Sequence, residues 1–142
     1  MMKKLFAVLI LTLAAVSFLE RPAFCSASLP PIQESNAYKQ YLKRPKVELS
    51  RLIYLMDRFK STDFKVVYDG YVYDSDYALK VSKQYISDHY KNEKAENWVQ
   101  LNSYRSTASH KIIYLKYSDR KLRPLRDALV EELHLLQQLE KV

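Results

Sequence analysis

A single glycine, Gly70, serves a chain of 142 residues. Glycine alone takes positive φ without steric cost, so strained turns and close backbone approaches must be few. Three site architectures are excluded outright. The Gly-x-Ser-x-Gly nucleophile elbow, the phosphate-cradling loop and the dinucleotide-binding fingerprint each need two or more glycines at fixed spacing. The one glycine stands in FKVVYDGYVYDSDYA, residues 64–78, between two runs of tyrosine and valine. An Asp-Gly pair so flanked predicts a two-residue turn with both φ positive, which aspartate tolerates and glycine takes freely. Tyr68 then faces Tyr71, and Val66 faces Tyr73. Side chains alternate along strands, so Phe64, Val66, Tyr68, Tyr71 and Tyr73 share one face, and Lys65, Val67, Val72 and Asp74 the other. The favoured reading packs these tyrosines against helices, since aromatic cross-strand pairs are ordinary sheet stabilisers. The sharper one makes Tyr68, Tyr71 and Tyr73 an aromatic platform for a sugar or peptide.

The first residues, MMKKLFAVLILTLAAVSFLERPAFCSAS, place Lys3 and Lys4 before an apolar run over residues 5–19. That is the layout of a secretory signal peptide. The run is shorter than the roughly 20 residues a helix needs to cross a bilayer, so a retained anchor is the weaker alternative. Cleavage is expected after Ala27, with a cut after Cys25 as the alternative. Pro22-Ala23-Phe24-Cys25 is a poor lipidation motif, because bulky Phe24 stands where a small residue belongs. Either cut removes Cys25, the only cysteine, so the secreted and expectedly periplasmic domain has no disulfide and must be held by its apolar core. Lys3, Lys4 and Arg21 against Glu20 account for two of the seven formal positive charges, which leaves +5. A basic secreted domain suits an envelope protein, an anionic glycan or an anionic membrane surface; nucleic acid is not an expected partner there.

Residues 28–45 hold three prolines and read as a linker with one helical turn over 38–42. Pro45 suits a helix start, and Leu49, Leu52, Ile53, Met56 and Phe59 recur at helical spacing, predicting a helix over 47–59. Ser75 is a suitable N-cap for a helix beginning at Asp76, with Ala78, Leu79, Val81, Tyr85 and Ile86 on its apolar side. Lys80, Lys83, Lys91 and Lys94 line another side, read first as a solvated face and second as an anion-binding surface. A further helix over 93–105 places Ala95, Trp98, Leu101 or Asn102, and Arg105 in a row, with Trp98 as core anchor. Residues 105–110 are a polar connection, and KIIYLKY, 111–117, is a β-branched and aromatic strand. Pro124 opens the last helix, whose Leu125, Leu129, Leu133, Leu136 and Leu139 form the strongest periodic stripe. That stripe serves the core or, in the alternative, pairs two copies of the chain. The expectation is a single α+β domain over 46–142: a small antiparallel sheet, the hairpin plus one further strand, packed against about four helices.

Chemistry-bearing motifs are few. His89, His110 and His134 are scattered, without the spacing of a metal site. Asp74 and Asp76 lack the glycine and terminal glutamate of a calcium loop. No cofactor motif is present. Ser103, Ser106 and Ser109 stand near His110, and a small serine hydrolase using Ser106 or Ser109 with His110 is the alternative function. Sequence neighbours in an extended stretch point apart, however, so adjacency alone makes no nucleophile and base pair. A non-catalytic binding or interaction domain is the expectation, with Tyr68, Tyr71, Tyr73, Lys80, Lys83, Lys91 and Lys94 as contact candidates and Asp69 and Gly70 as the structural turn.

Asp69-Gly70, Tyr73 and Ala78, then Ala95-Glu96 and Trp98-Val99, then Arg105-Ser106-Thr107 ahead of Lys111, follow an order and spacing that resembles the Domain of Unknown Function 5329 family of bacterial secreted proteins. The resemblance extends over residues 47–139. This chain departs from the pattern at His110, where the family usually has glycine, at Ile112 in place of proline, and at Phe64, where cysteine is common. The resemblance implies secretion and the extent of the domain, and it brings no activity.

Overall fold

The Asp-Gly turn organises the sheet. Asp69 and Gly70 take φ of 51° and 84°, the mirror-image turn whose twist matches that of two flanking strands. In the computed structural model, which describes residues 29–142, β1 (Lys65–Tyr68) and β2 (Tyr71–Asp74) pair in the expected register, Tyr68 with Tyr71 and Val66 with Tyr73. β3 (Tyr114–Lys116) lies against β1, and β4 (Leu122–Pro124) against β3. The order is β2-β1-β3-β4, antiparallel throughout. Around the sheet stand α1 (Asn36–Leu42), α2 (Glu48–Phe59), α3 (Ser75–His89), α4 (Ala95–Asn102) and α5 (Leu125–Glu140). The fold is thus α+β, with five α-helices and four strands among the described residues. The expected signal segment, and Cys25 with it, lie outside the described residues. None of the helices among the described residues is long and apolar enough to cross a membrane.

Several boundaries differ from the sequence expectation. Residues 29–45 pack on the domain instead of linking to it, and the turn expected over 38–42 is part of a longer helix: Ser35 accepts from the Tyr38 N–H and caps α1, which buries Ala37 and Tyr41, and the 3₁₀ turn before it buries Ile32. Prolines at 30 and 31 precede this turn and do not interrupt it. Ser75 is the first residue of α3, not its cap; its hydroxyl donates to the Thr62 carbonyl. Asp76 accepts from the Ser61 N–H at 2.7 Å, which ties the start of α3 to the end of α2. The strand expected over 111–117 keeps only Tyr114–Lys116, with Ile112 bridged to Arg105, and β4 is an additional strand.

The main core joins α1, α2, α4 and α5. Leu52, Leu55, Trp98, Val99, Leu133 and Leu136 meet there, so the leucine stripe of α5 is turned inward on its own chain. Trp98 packs edge-on to Tyr90, with ring centroids 5.5 Å apart, as expected of a core anchor. A second cluster of Phe59, Phe64, Leu115 and Ala128 fixes α2 and α5 to one face of the sheet. Charged groups enter this interior only in pairs. Arg58 and Glu132, 5% and 6% exposed, are bonded to each other; Tyr54 donates to Glu132 at 2.7 Å, and Arg58 also donates to the Pro30 carbonyl at 2.7 Å. Burial, then the adjacent Glu132 carboxylate, drives the Tyr54 hydroxyl pKa far upward. At the far end of α2, Arg51 bridges Glu48 and Glu140, and Tyr41 also donates to Glu140. Glu48 accepts from the Ala95 N–H at 2.7 Å, which satisfies an orphan donor at the start of α4 and sets a negative charge against its positive end.

Candidate binding cavity

Strand alternation and helical periodicity converge beneath α3. β1 and β2 turn Val66, Tyr68 and Tyr73 to one side of the sheet. α3 directs Ala78, Ser82 and Tyr85, spaced four and three apart, towards the same space. Together they wall a cavity of about 400 Å³. Its floor is formed by Leu52, Leu55 and Met56 of α2 and Leu115 of β3, side chains that also belong to the core. The cavity therefore reaches from the surface to the interior. Ligand sites commonly enclose about 300–1,000 Å³ and are mostly apolar with a few convergent polar groups, and this lining has that character.

The opening is made by exposed apolar side chains. α3 buries only Ser75; Tyr77 and Val81 on its near side are 55% and 51% exposed. Leu101 of α4, which lines the same cavity, is 78% exposed. Of the polar lining groups, Ser75, Ser82 and the tyrosine hydroxyls are spread over the hairpin and α3, whereas Asn102, Ser103, Arg105 and Thr107 come from the end of α4 and the chain that follows it. Arg105 is the one lining residue that carries a charge. One of its amino groups donates to the His110 carbonyl at 2.9 Å, and its guanidinium lies 5.0 Å from the Tyr104 ring centre. A guanidinium has five N–H donors, so this anchor leaves others unused.

The hairpin tyrosines divide between two settings. Tyr68 and Tyr73 belong to the cavity wall, whereas Tyr71 lies outside it and is 68% exposed. Tyr73 stacks on Tyr77 at 5.3 Å with planes 17° apart, and Tyr71 stands 6.5 Å from Tyr73. The four lysines do not form one helical stripe. Lys80 and Lys83 are exposed, roughly opposite the cavity side of α3 by helical spacing. α3 ends at His89, so Lys91 falls in the connection, where its N–H donates to Glu93, and Lys94 is the residue before α4.

The serine cluster has a structural arrangement. Ser106, 1% exposed, donates to Asp69 at 2.9 Å and accepts from the N–H groups of Ala108 and Ser109. Ser109 donates to the other Asp69 oxygen. Asp69 thus clips the hairpin tip to the turn over residues 105–110, in which His110 takes φ of 58°. Among the described residues no hydrogen bond joins the His110 ring to Ser106 or Ser109. His89 stacks on Tyr85 at 4.2 Å, and His134 lies 3.2 Å from Glu96. Among the described residues no group of three or more His, Cys, Asp or Glu side chains is placed to hold a metal ion. A second, open depression of about 580 Å³ between α4 and α5 is lined by Arg123, Glu131 and His134. Its polar side chains pair within the chain, Arg123 with Glu131, Arg126 with Asp127 and His134 with Glu96.

Sequence reasoning singled out Tyr68 and Tyr73 but missed Tyr77, Arg105 and the α2 floor as parts of one site. Tyr77 carried a readable signal, since it continues the tyrosine series 71, 73, 77 across a strand and helix junction. No signal marked Arg105, whose place depends on the chain after α4 folding back to the hairpin tip. No family model matches the chain, and neither a curated protein nor a solved structure matches it.

Proposed function

We propose that this chain is a non-catalytic binding domain, secreted by way of residues 1–27 into the periplasm, whose ligand site is the cavity beneath α3. The observation that carries this reading is an apolar cavity of about 400 Å³ that runs between an exposed rim and fully packed core leucines. Apolar lining of this depth takes up a ligand by removing its surface from water, which contributes about 0.8 kcal/mol for each methylene buried. The stacked Tyr73 and Tyr77 rings add flat surface at the wall. Reversible capture asks for no nucleophile, and the polar residues that line the cavity are hydrogen-bond donors and acceptors suited to orienting a bound molecule.

An environment-sensitive apolar dye, N-phenyl-1-naphthylamine, tests the site. Fluorescence enhancement is expected with the wild-type protein and is expected to vanish in Ala78→Trp, which fills the cavity from α3, with the thermal unfolding midpoint retained. Absence of enhancement in the wild type, or its persistence in the filled variant, removes the cavity as the site. Intact mass of the periplasmic species tests secretion separately: a soluble chain beginning near Ser28 is expected, and a membrane species retaining residues 1–27 overturns that part.

A further inference from the structure

We infer that the ligand is a single-chain amphiphile with an anionic head, its chain in the cavity and its head at Arg105. This rests on the cavity being the binding site and adds the chemistry of what enters it. The polarity of the lining is unevenly distributed. Leu52, Leu55, Met56, Val81 and Leu115 are apolar and the hairpin and α3 add only neutral hydroxyls, while Asn102, Ser103, Arg105 and Thr107 come together from the end of α4 and the chain after it, which Ser106 ties to the hairpin tip. A molecule that matches this division has one long apolar part and one compact polar part. The lone charge among the lining residues is positive, so the matching head is an anion, as in a fatty acid or a lysophospholipid. The Arg105 guanidinium is held by the His110 carbonyl and the Tyr104 ring, which orders it while leaving donors for a carboxylate or phosphate. The nearby Asp69 is not a lining residue; both its oxygens accept from serines, Ser106 and Ser109.

An amphipathic helix of a partner protein is the other class of occupant, and the shape disfavours it. A helix with side chains is about 10–12 Å across, whereas here the cavity penetrates between packed elements to leucines that are 2% exposed. An extended alkyl chain is narrow enough to follow that route.

Displacement of the bound dye measures the inference. Octanoate, decanoate and dodecanoate are expected to bind with affinity rising about fourfold per methylene, until the cavity is full. Dodecanoate is expected to exceed dodecanol about tenfold, and Arg105→Gln to abolish that margin while leaving dodecanol unchanged. Dodecyl phosphate distinguishes the source: stronger binding than dodecanoate points to a lysophospholipid, weaker binding to a fatty acid. Equal binding of dodecanoate and dodecanol to the wild type, or an unaltered margin in Arg105→Gln, overturns the anionic head while the cavity stands. Dye binding with no displacement by any alkyl compound overturns the amphiphile altogether. No dye binding at all overturns the underlying site.

Discussion

α3 and α5 are helices of 15 and 16 residues, both amphipathic, yet the molecule treats them oppositely. α5 buries Ala128, Glu132, Leu133 and Leu136, and its one buried acid is matched by Arg58 and Tyr54. α3 buries Ser75 alone and leaves Tyr77, Val81 and Tyr85 above an unfilled space. An apolar stripe therefore says that a helix has something to cover, but not that its own chain covers it. Close packing is concentrated on the α2 and α5 side, and open apolar surface on the α3 side.

The largest expected effect tests the tight side. Glu132→Ala leaves Arg58 buried without its carboxylate, and a loss of about 3–5 kcal/mol in urea unfolding is expected. A loss below about 1 kcal/mol would mean that the α5 interior is as loosely held as α3. Raising the pH attacks the same region. Burial, then Glu140, pushes the Tyr41 hydroxyl up to about 12, and Tyr54 is raised more strongly by burial and Glu132. The unfolded chain loses these protons first, near pH 10. Stability is thus full below pH 10 and falls as pH rises from 10 through about 12. Unfolding midpoints that hold steady across that window would contradict the placement of Tyr41 against Glu140.

Smaller effects lie on the other side. Gly70→Ala meets no atom within 4 Å, so only its φ of 84° opposes the substitution. About 1 kcal/mol is expected, with the fold intact by circular dichroism. Val81→Ser, on the exposed rim of α3, is expected to shift stability by less than about 0.5 kcal/mol while weakening dye binding. If Val81→Ser instead destabilises like a core truncation, α3 is a packed element and the contrast with α5 disappears.

What was legible in the sequence follows the range of the forces involved. The hairpin and its register could be read because Asp-Gly chemistry is settled within four residues. The leucines of α5 could be read because periodicity predicts a buried face, and here the core supplies one. Of α1 only the turn over 38–42 could be read, because Pro30 and Pro31 before it and Pro45 after it gave the segment the look of a linker. β4 was hidden because Leu122, Arg123 and Pro124 carry no strand pattern and acquire their conformation from β3. The cavity was the least legible part. Its walls come from α2, the hairpin, α3, α4 and the chain after it, and only their assembly reveals the space left between them.

The Asp69 clip has a kinetic side. β1 and β3 are neighbours in the sheet although α3 and α4 lie between them in the chain. Closing so long a loop is entropically slow compared with forming the hairpin, whose contacts are local. Ser106 and Ser109 reach Asp69 across 37 and 40 residues of chain, so the clip shares the cost of a long closure and fastens the hairpin tip to the segment that leads into β3. Asp69→Ala is accordingly expected to act as the loss of a latch, read as faster unfolding with little change in the folding rate.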